Sequence, residues 1–404
     1  MERKRKYRCW IIGCLILDLA VMLWMGYRYL EKTIPDKIRM ENFQEFDLRE
    51  ICSCPFVGFE DAVTASNGEG YSVTCKILGV IPYKEVKVIP SEREVLYASG
   101  SSIGLYMETE GVLIIDAGEI VARDGSRQKP AEDIVKPGDY IVAFNEKKIS
   151  TKQDLIEDLK YMNGEKVTLK VEREGEEIPL SILPAKDAEG KYKLGIWVRD
   201  DTQGIGTLTF MDEQGNYGAL GHGISDVDTG ELLKIHGGEL YGAEILGIHR
   251  GEKGKPGELS GVIYYEPSNI LGNIEKNTAG GIYGKLYGKQ KQNSQIHLQQ
   301  MPIAYKQEIK EGKAAVLCSI QEDVKEYEVE IKRIEMNQQD TNKSFVIQVT
   351  DEELIEKTGG IVQGLSGSPI IQSGKLVGAV THVLVNDPTR GYGIFIENML
   401  EAAG

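Results

Sequence analysis

The chain has little of what metal and nucleotide chemistry uses. Its 404 residues include five histidines, six cysteines, three tryptophans and eight phenylalanines. It contains no His-Glu-x-x-His pair, no P-loop and no dinucleotide fingerprint, so no metal and no cofactor are expected. Basic residues are also short: 47 Lys and Arg stand against 62 Asp and Glu, a net charge of −15. An acidic surface repels a phosphate backbone, so no nucleic-acid partner is expected. The cysteine spacing matches no zinc pattern. Cys9 and Cys14 fall in an apolar run, while Cys52, Cys54, Cys75 and Cys318 lie outside it. An exported location permits a disulfide but leaves its pairing open, and some of these cysteines are expected to be plain buried residues.

Long apolar runs are almost absent, with one exception. "CWIIGCLILDLAVMLWMGY", residues 9–27, is close to the ~20 residues a bilayer-spanning helix needs. Asp18 interrupts it at a cost of about 2.5–3.5 kcal/mol, which the surrounding Leu, Ile, Val, Met and Trp residues outweigh. The preceding "MERKRKYR" is basic and places the N-terminus inside and the rest of the chain outside. No small-x-small cleavage site follows, so an uncleaved anchor is expected. "IIGC" precedes most of the apolar run instead of ending it, which argues against lipidation. The expected layout is a cytoplasmic tail over 1–8, a transmembrane signal anchor over 9–30, and an extracytoplasmic stalk with N-terminal strands over 31–95.

Glycine, in contrast, is plentiful at 46 residues. Over 96–190 it punctuates strands: "SSIGLYMETEGVLIIDAG", "VKPGDYIVAFNEKKI" with a hairpin at Asn145-Glu146, and "EKVTLKVEREGEEIPLSI". One helix is expected in "STKQDLIEDLKYMNG", capped by Ser150 or Thr151, with Leu155, Ile156 and Leu159 as its apolar stripe and Gly164 past its end. This order resembles a PDZ domain. The resemblance implies a groove between a strand and the helix that takes an extended peptide, either a C-terminus or an internal strand. It also implies a carboxylate-binding loop at Ser102, Ile103, Gly104 and Leu105.

Residues 191–404 alternate short strands with glycine turns, the pattern of a β-sandwich or barrel. A helix is expected in "VTDEELIEKTGG", 349–360, with Thr350 as cap and Gly359 as stop. Within "GIVQGLSGSPIIQSGKLVGAVTHV" Ser366 sits between glycines, which let the backbone approach a ligand closely. A nucleophile needs such a loop, with N–H groups aimed at a developing oxyanion. Ser368 is the rival serine. Of the five histidines, His222 in "GALGHGISDVDTG" has small neighbours and room to face a cleft. His382 is its main rival as base. His236 and His249 follow strand-like runs, and His297 lies in a polar stretch.

These two stretches together resemble the stage IV sporulation protein B (SpoIVB) peptidases of endospore-forming bacteria, as does the order anchor, PDZ domain, peptidase. The resemblance implies a mostly β chain: a PDZ domain, then a chymotrypsin-like double β-barrel serine peptidase, behind a transmembrane helix. It implies Ser366 as nucleophile, His222 as general base and Asp351 as acid, with the Gly364 and Ser366 amides as oxyanion hole. Asp351 lies near the start of a predicted helix, where a carboxylate also complements the dipole. Asp226 and Asp228 are alternatives for the acid. The resemblance further implies a self-processing, membrane-anchored signalling peptidase in the space between forespore and mother-cell membranes. It would cleave the extracytoplasmic part of a membrane complex and so trigger pro-sigma-K processing, with self-cleavage expected within 32–95. An HtrA-like quality-control protease is one rival, although there the protease precedes the PDZ domain. A catalytically inactive PDZ scaffold is the other.

Overall fold

The computed structural model describes residues 2–41, 57–59, 63–64, 71–288, 296–321, 323–337 and 341–404. Cys52 and Cys54 lie outside them, as does part of the segment expected to be self-cleaved. Cys75 and Cys318 are buried free thiols. A helix runs over Glu2–Thr33. At 1.5 Å per residue it is about 48 Å long, against a hydrocarbon core of about 30 Å. Among the described residues it is the one helix long and apolar enough to cross a membrane.

The alternation in "YSVTCKILGVIPYKEVKVIP" forms two paired antiparallel strands, Tyr71–Ile77 and Ile81–Pro90. Val73, Cys75, Val86 and Val88 share their buried face and pack with Ile34, Ile38 and Met40. The strands expected within 31–95 therefore form part of a small folded sheet. The helix end, this sheet and the segment after it are tied to the rest of the chain by ion pairs from Lys32 to Glu335 at 3.0 Å, Arg39 to Glu397 at 3.3 Å and Arg93 to Glu308 at 2.8 Å.

Two six-stranded barrels carry the remainder. In the first, Ser102–Ala117 pairs on one edge with Ile235–His249 and on the other with Ile196–Met211. The circuit closes through Ile270–Thr278, Gly281–Leu286 and Asn216–Ala219. The second is closed by Gly312–Ser319, Val324–Ile334, Phe345–Val349, Asp387–Phe395, Lys375–Leu384 and Pro369–Gln372. The helix Ile396–Ala403 packs Ile396 and Met399 into a core shared with Phe210 and Tyr283 of the first barrel and Leu376 and Ile394 of the second.

The PDZ module is threaded through the first barrel. The long strand Ser102–Ala117 lies in the barrel over its first half. Beyond Gly111, Val112 and Leu113 pair with Ile141 and Tyr140 of the PDZ sheet. The chain returns through Ile196–Met211, whose first residues pair with 113–117 before it re-enters the barrel. Strand pairing thus cuts across the expected boundaries of 96–190 and 191–404. Residues 102–109 serve the peptidase barrel, and 196–199 serve the PDZ sheet. The helix Lys152–Lys160 is capped by Thr151, whose side chain and that of Asp154 bond reciprocally to each other's backbone.

Candidate active site

The loop carrying Ser366 begins where the helix Glu352–Thr358 stops at Gly359, in the left-handed region at φ 77°. Gly364 and Gly367 also have positive φ, at 99° and 96°. A Cβ at Gly367 would strike Thr207 O and the Leu220 backbone. The first barrel pins this loop from below. The Thr207 amide donates to Ser366 O at 3.0 Å. The Thr207 hydroxyl donates to Gly364 O at 2.8 Å, and that of Thr209 to Gly367 O at 2.7 Å. Sequence reasoning passed over both threonines. Their signal was two hydroxyls at strand period in "GIGTLTF", which places them on one face. The amides of Leu365, Gly367 and Ser368 bond to Val362, Val380 and Leu365 carbonyls. Those of Gly364 and Ser366 donate to no other group among the described residues.

His222 follows Leu220 and Gly221, whose φ values are 66° and 69°. A buried leucine in the left-handed region costs about 1–2 kcal/mol. Its amide is held by Thr207 O at 3.2 Å, so one threonine fixes both the serine loop and the turn that presents the histidine. The His222 ring lies with Nδ1 2.8 Å from Gly223 O. A carbonyl accepts and does not donate, so Nδ1 carries the proton and Nε2 holds the lone pair. Burial pushes the imidazole pKa below its ordinary value, against the opposing pull of the Gly223 bond. The His382 ring packs on that of His222, centroids 4.8 Å apart and planes inclined by 36°. The Ser366 hydroxyl donates to Thr381 O at 2.7 Å, one residue before His382.

The stretch Thr381–His382 thus links the two candidates: its Thr381 carbonyl receives the Ser366 hydroxyl and its His382 ring meets that of His222. Ser368 is fully buried and cannot meet a substrate, whereas Ser366 is half-buried. His236, His249 and His297 are exposed elsewhere.

The structure does not bring Asp351 to His222. Asp351, and not Thr350, is the N-cap of Glu352–Thr358. Its Oδ1 accepts from Leu354 N at 3.0 Å and its Oδ2 from Glu328 N at 3.3 Å. The local competition was between capping and catalysis, and helix amides three residues ahead are always within reach of an N-cap carboxylate. Asp226 is likewise occupied: its Oδ1 accepts from Thr229 N at 2.9 Å and Asp228 N at 3.0 Å, and its Oδ2 meets Arg199. Burial would raise its pKa, but those backbone bonds and Arg199 hold it below the usual carboxylate value. Asp228 pairs with the other Arg199 nitrogen at 3.0 Å.

The expected carboxylate loop is also displaced. Ile103, Gly104 and Leu105 pair with residues 204–206 on one side and 240–242 on the other. Ile103 and Leu105 are core side chains, and the Ser102 hydroxyl bonds Ser319 O. Central strands have no amides left for a ligand. The groove lies instead between the helix Lys152–Lys160 and residues 194–198, with a volume of about 950 Å³. Leu155, Ile156 and Leu159 line one wall and Leu194, Ile196 and Val198 the other. "Leu194-Gly195-Ile196-Trp197" turns at Gly195, φ 68°, where a Cβ would meet Gly118 O and Pro130 at 2.9 Å. This stretch, and not Ser102–Leu105, faces the helix.

Two barrels with a serine loop and a histidine at their junction, and a PDZ module between shared strands, define a serine peptidase with a peptide-binding domain. The family model described as SpoIVB peptidase S55 matches residues 190–400, just over half of the chain, and that of the PDZ domain matches 102–183. The chain belongs to the SpoIVB peptidase S55 family. Among solved structures, the PDZ domain of the SdrC-like protein (Lmo2051) from Listeria monocytogenes is 21% identical. It covers 22% of this chain and 87% of that one, with a TM-score of 0.18. The Rv3671c protease, inactive form, is 12% identical and covers 50% of this chain and 84% of that one, with a TM-score of 0.22.

Proposed function

We propose that Ser366 is the nucleophile and His222 the general base of a membrane-anchored peptidase. The observation that carries this reading is the loop itself. Ser366 is half-buried, its hydroxyl on the carbonyl next to His382, whose ring meets that of His222, and the Gly364 and Ser366 amides are unengaged among the described residues. For attack, the Ser366 hydroxyl turns from Thr381 O toward His222 Nε2. Its Oγ then bonds the scissile carbonyl carbon as the proton passes to Nε2. The Gly364 and Ser366 amides donate to the oxyanion. His222 returns the proton to the leaving amine, and water, deprotonated in the same way, releases the acyl group. Gly223 O holds the Nδ1 proton in the place a carboxylate fills in other serine peptidases.

The helix Glu2–Thr33 anchors the chain, and the groove beside Lys152–Lys160 binds an extended peptide along the free edge of residues 196–199. Family membership supports a role as an intercompartmental sporulation signal. The peptidase processes itself and then cleaves the extracytoplasmic part of a membrane complex, so that pro-sigma-K is matured. The test is Ser366→Ala in sporulating cells. Self-cleavage and pro-sigma-K processing should both stop, while Ser368→Ala retains them. Continued processing with Ser366→Ala would leave the chain a scaffold.

A further inference from the structure

Among the described residues, one hydrogen bond holds the His222 imidazole. The Nδ1–Gly223 O contact fixes the tautomer but leaves the ring free to swing about the N–H···O axis. In serine peptidases a carboxylate normally suppresses that motion through two oxygens and a short charged bond. Here the carboxylates of Asp351, Asp226 and Asp228 are all engaged by other groups. The ring packed against His222 is that of His382, 4.8 Å away between centroids and tilted by 36°.

We propose that His382 is a positioning residue for the peptidase reaction: its ring, packed at a tilt against His222, sets the plane in which Nε2 meets the Ser366 hydroxyl. The proposal rests on the reading of Ser366 and His222 given above. Three features support it. His382 is on the strand Lys375–Leu384, one residue after the carbonyl that receives the Ser366 hydroxyl. Any shift of that strand therefore moves the packed ring and the serine's resting acceptor together. The strand is rigid where it matters: the Thr381 hydroxyl is tied to Asn342 O at 2.6 Å, and Val380 N to Ser368 O at 2.9 Å. Finally, Gly221, just before His222, packs a Cα against Thr381 and Ala379, where a Cβ would come within 3.0 Å of Thr381 Cγ2. Backbone contact and ring contact thus hold one geometry. A packed aromatic ring supplies this by shape, so its titrating nitrogens are not required.

The test uses the full-length chain in detergent and a fluorophosphonate probe. The probe phosphonylates an activated serine oxygen, the P–O bond forming as fluoride leaves and the serine proton passing to the base. Three variants are compared: His382→Ala, His382→Phe and Ser366→Ala. Ser366→Ala should abolish labelling; if it does not, the assignment of the nucleophile fails, independently of His382. His382→Ala should lower the maximal labelling rate roughly 3- to 10-fold, the worth of an aromatic pair. The probe concentration at half-maximal rate should stay unchanged. His382→Phe should restore most of the rate. Three outcomes overturn the proposal: an unchanged maximal rate in His382→Ala, an effect confined to the half-maximal concentration, or a His382→Phe variant as slow as His382→Ala. The second would make His382 a substrate contact and the third a proton carrier. Melting temperatures, expected within a few degrees of the parent, exclude loss of fold. If His382→Ala is unstable, His382→Phe against His382→Leu gives the same comparison at kept volume, with leucine as the slow variant.

Discussion

Arg199 grips Asp226, the fourth residue after His222. One guanidinium nitrogen meets the buried Asp226 carboxylate and the other lies 3.0 Å from Asp228. Arg199 belongs to Ile196–Met211, the strand whose first residues form a wall of the PDZ groove and whose Thr207 pins the Ser366 loop. One strand therefore touches the peptide groove, the histidine loop and the serine loop in turn. Arg199→Ala should lower turnover about tenfold or more by loosening the His222 loop, because leaving one member of a buried pair alone is strongly destabilising. Arg199→Lys should recover little, since a single ammonium cannot fork across two carboxylates. Peptide turnover and thermal melting together check this; unchanged turnover in Arg199→Ala would remove the loop from the mechanism.

Asp351→Asn separates capping from catalysis. As a cap, asparagine keeps the Leu354 bond and loses the charge at the helix start, at a cost of about 0.3–1 kcal/mol. Turnover should remain within a few fold of the parent. A catalytic acid behaves otherwise, losing about 10⁴ in turnover on the same change in a trypsin-type triad. A fall of that size would return Asp351 to the base.

Acid should act on His222 in a definite direction. Burial holds its folded pKa below the unfolded value of about 6.5. In the unfolded chain the ring takes up a proton at higher pH than in the folded one. The stabilisation associated with the neutral ring is therefore present above pH ~6.5 and is lost as pH falls below it. The acid limb of the rate profile should also lie below 6.5, since the base works neutral. A limb above that value would mean that a different group titrates.

Peptide capture should follow the relocated groove. Leu159→Glu places a charge on its apolar wall and should weaken binding of a fluorescent peptide at least tenfold, while probe labelling of Ser366 continues. Gly104→Val should instead unfold the first barrel, because a Cβ there comes within 2.6 Å of Ile263. Retained folding with selective loss of peptide binding in Gly104→Val would restore the loop at 102–105.

Much of this was open to reading in the chain. The N-terminal helix shows as an apolar length broken only by Asp18, and the Ser366 loop as glycines around a serine. The PDZ helix shows as a threonine cap and an apolar stripe. These are local properties, fixed by periodicity, capping and backbone permission within some twenty residues. Four things were decided only by tertiary structure. Strand order placed Ser102–Leu105 between two neighbours inside a barrel, and a sequence does not reveal how many edges of a strand are paired. The same pairing brought Leu194–Trp197, ninety residues later, to the helix. Asp351 lies only fifteen residues from Ser366, but its oxygens found the nearer amides of Leu354 and Glu328. His222 and His382, 160 residues apart, met because two barrels close on one core. Side-chain chemistry and local period are written along the chain, whereas which groups face each other depends on burying both barrels at once, and that is a property of the whole chain.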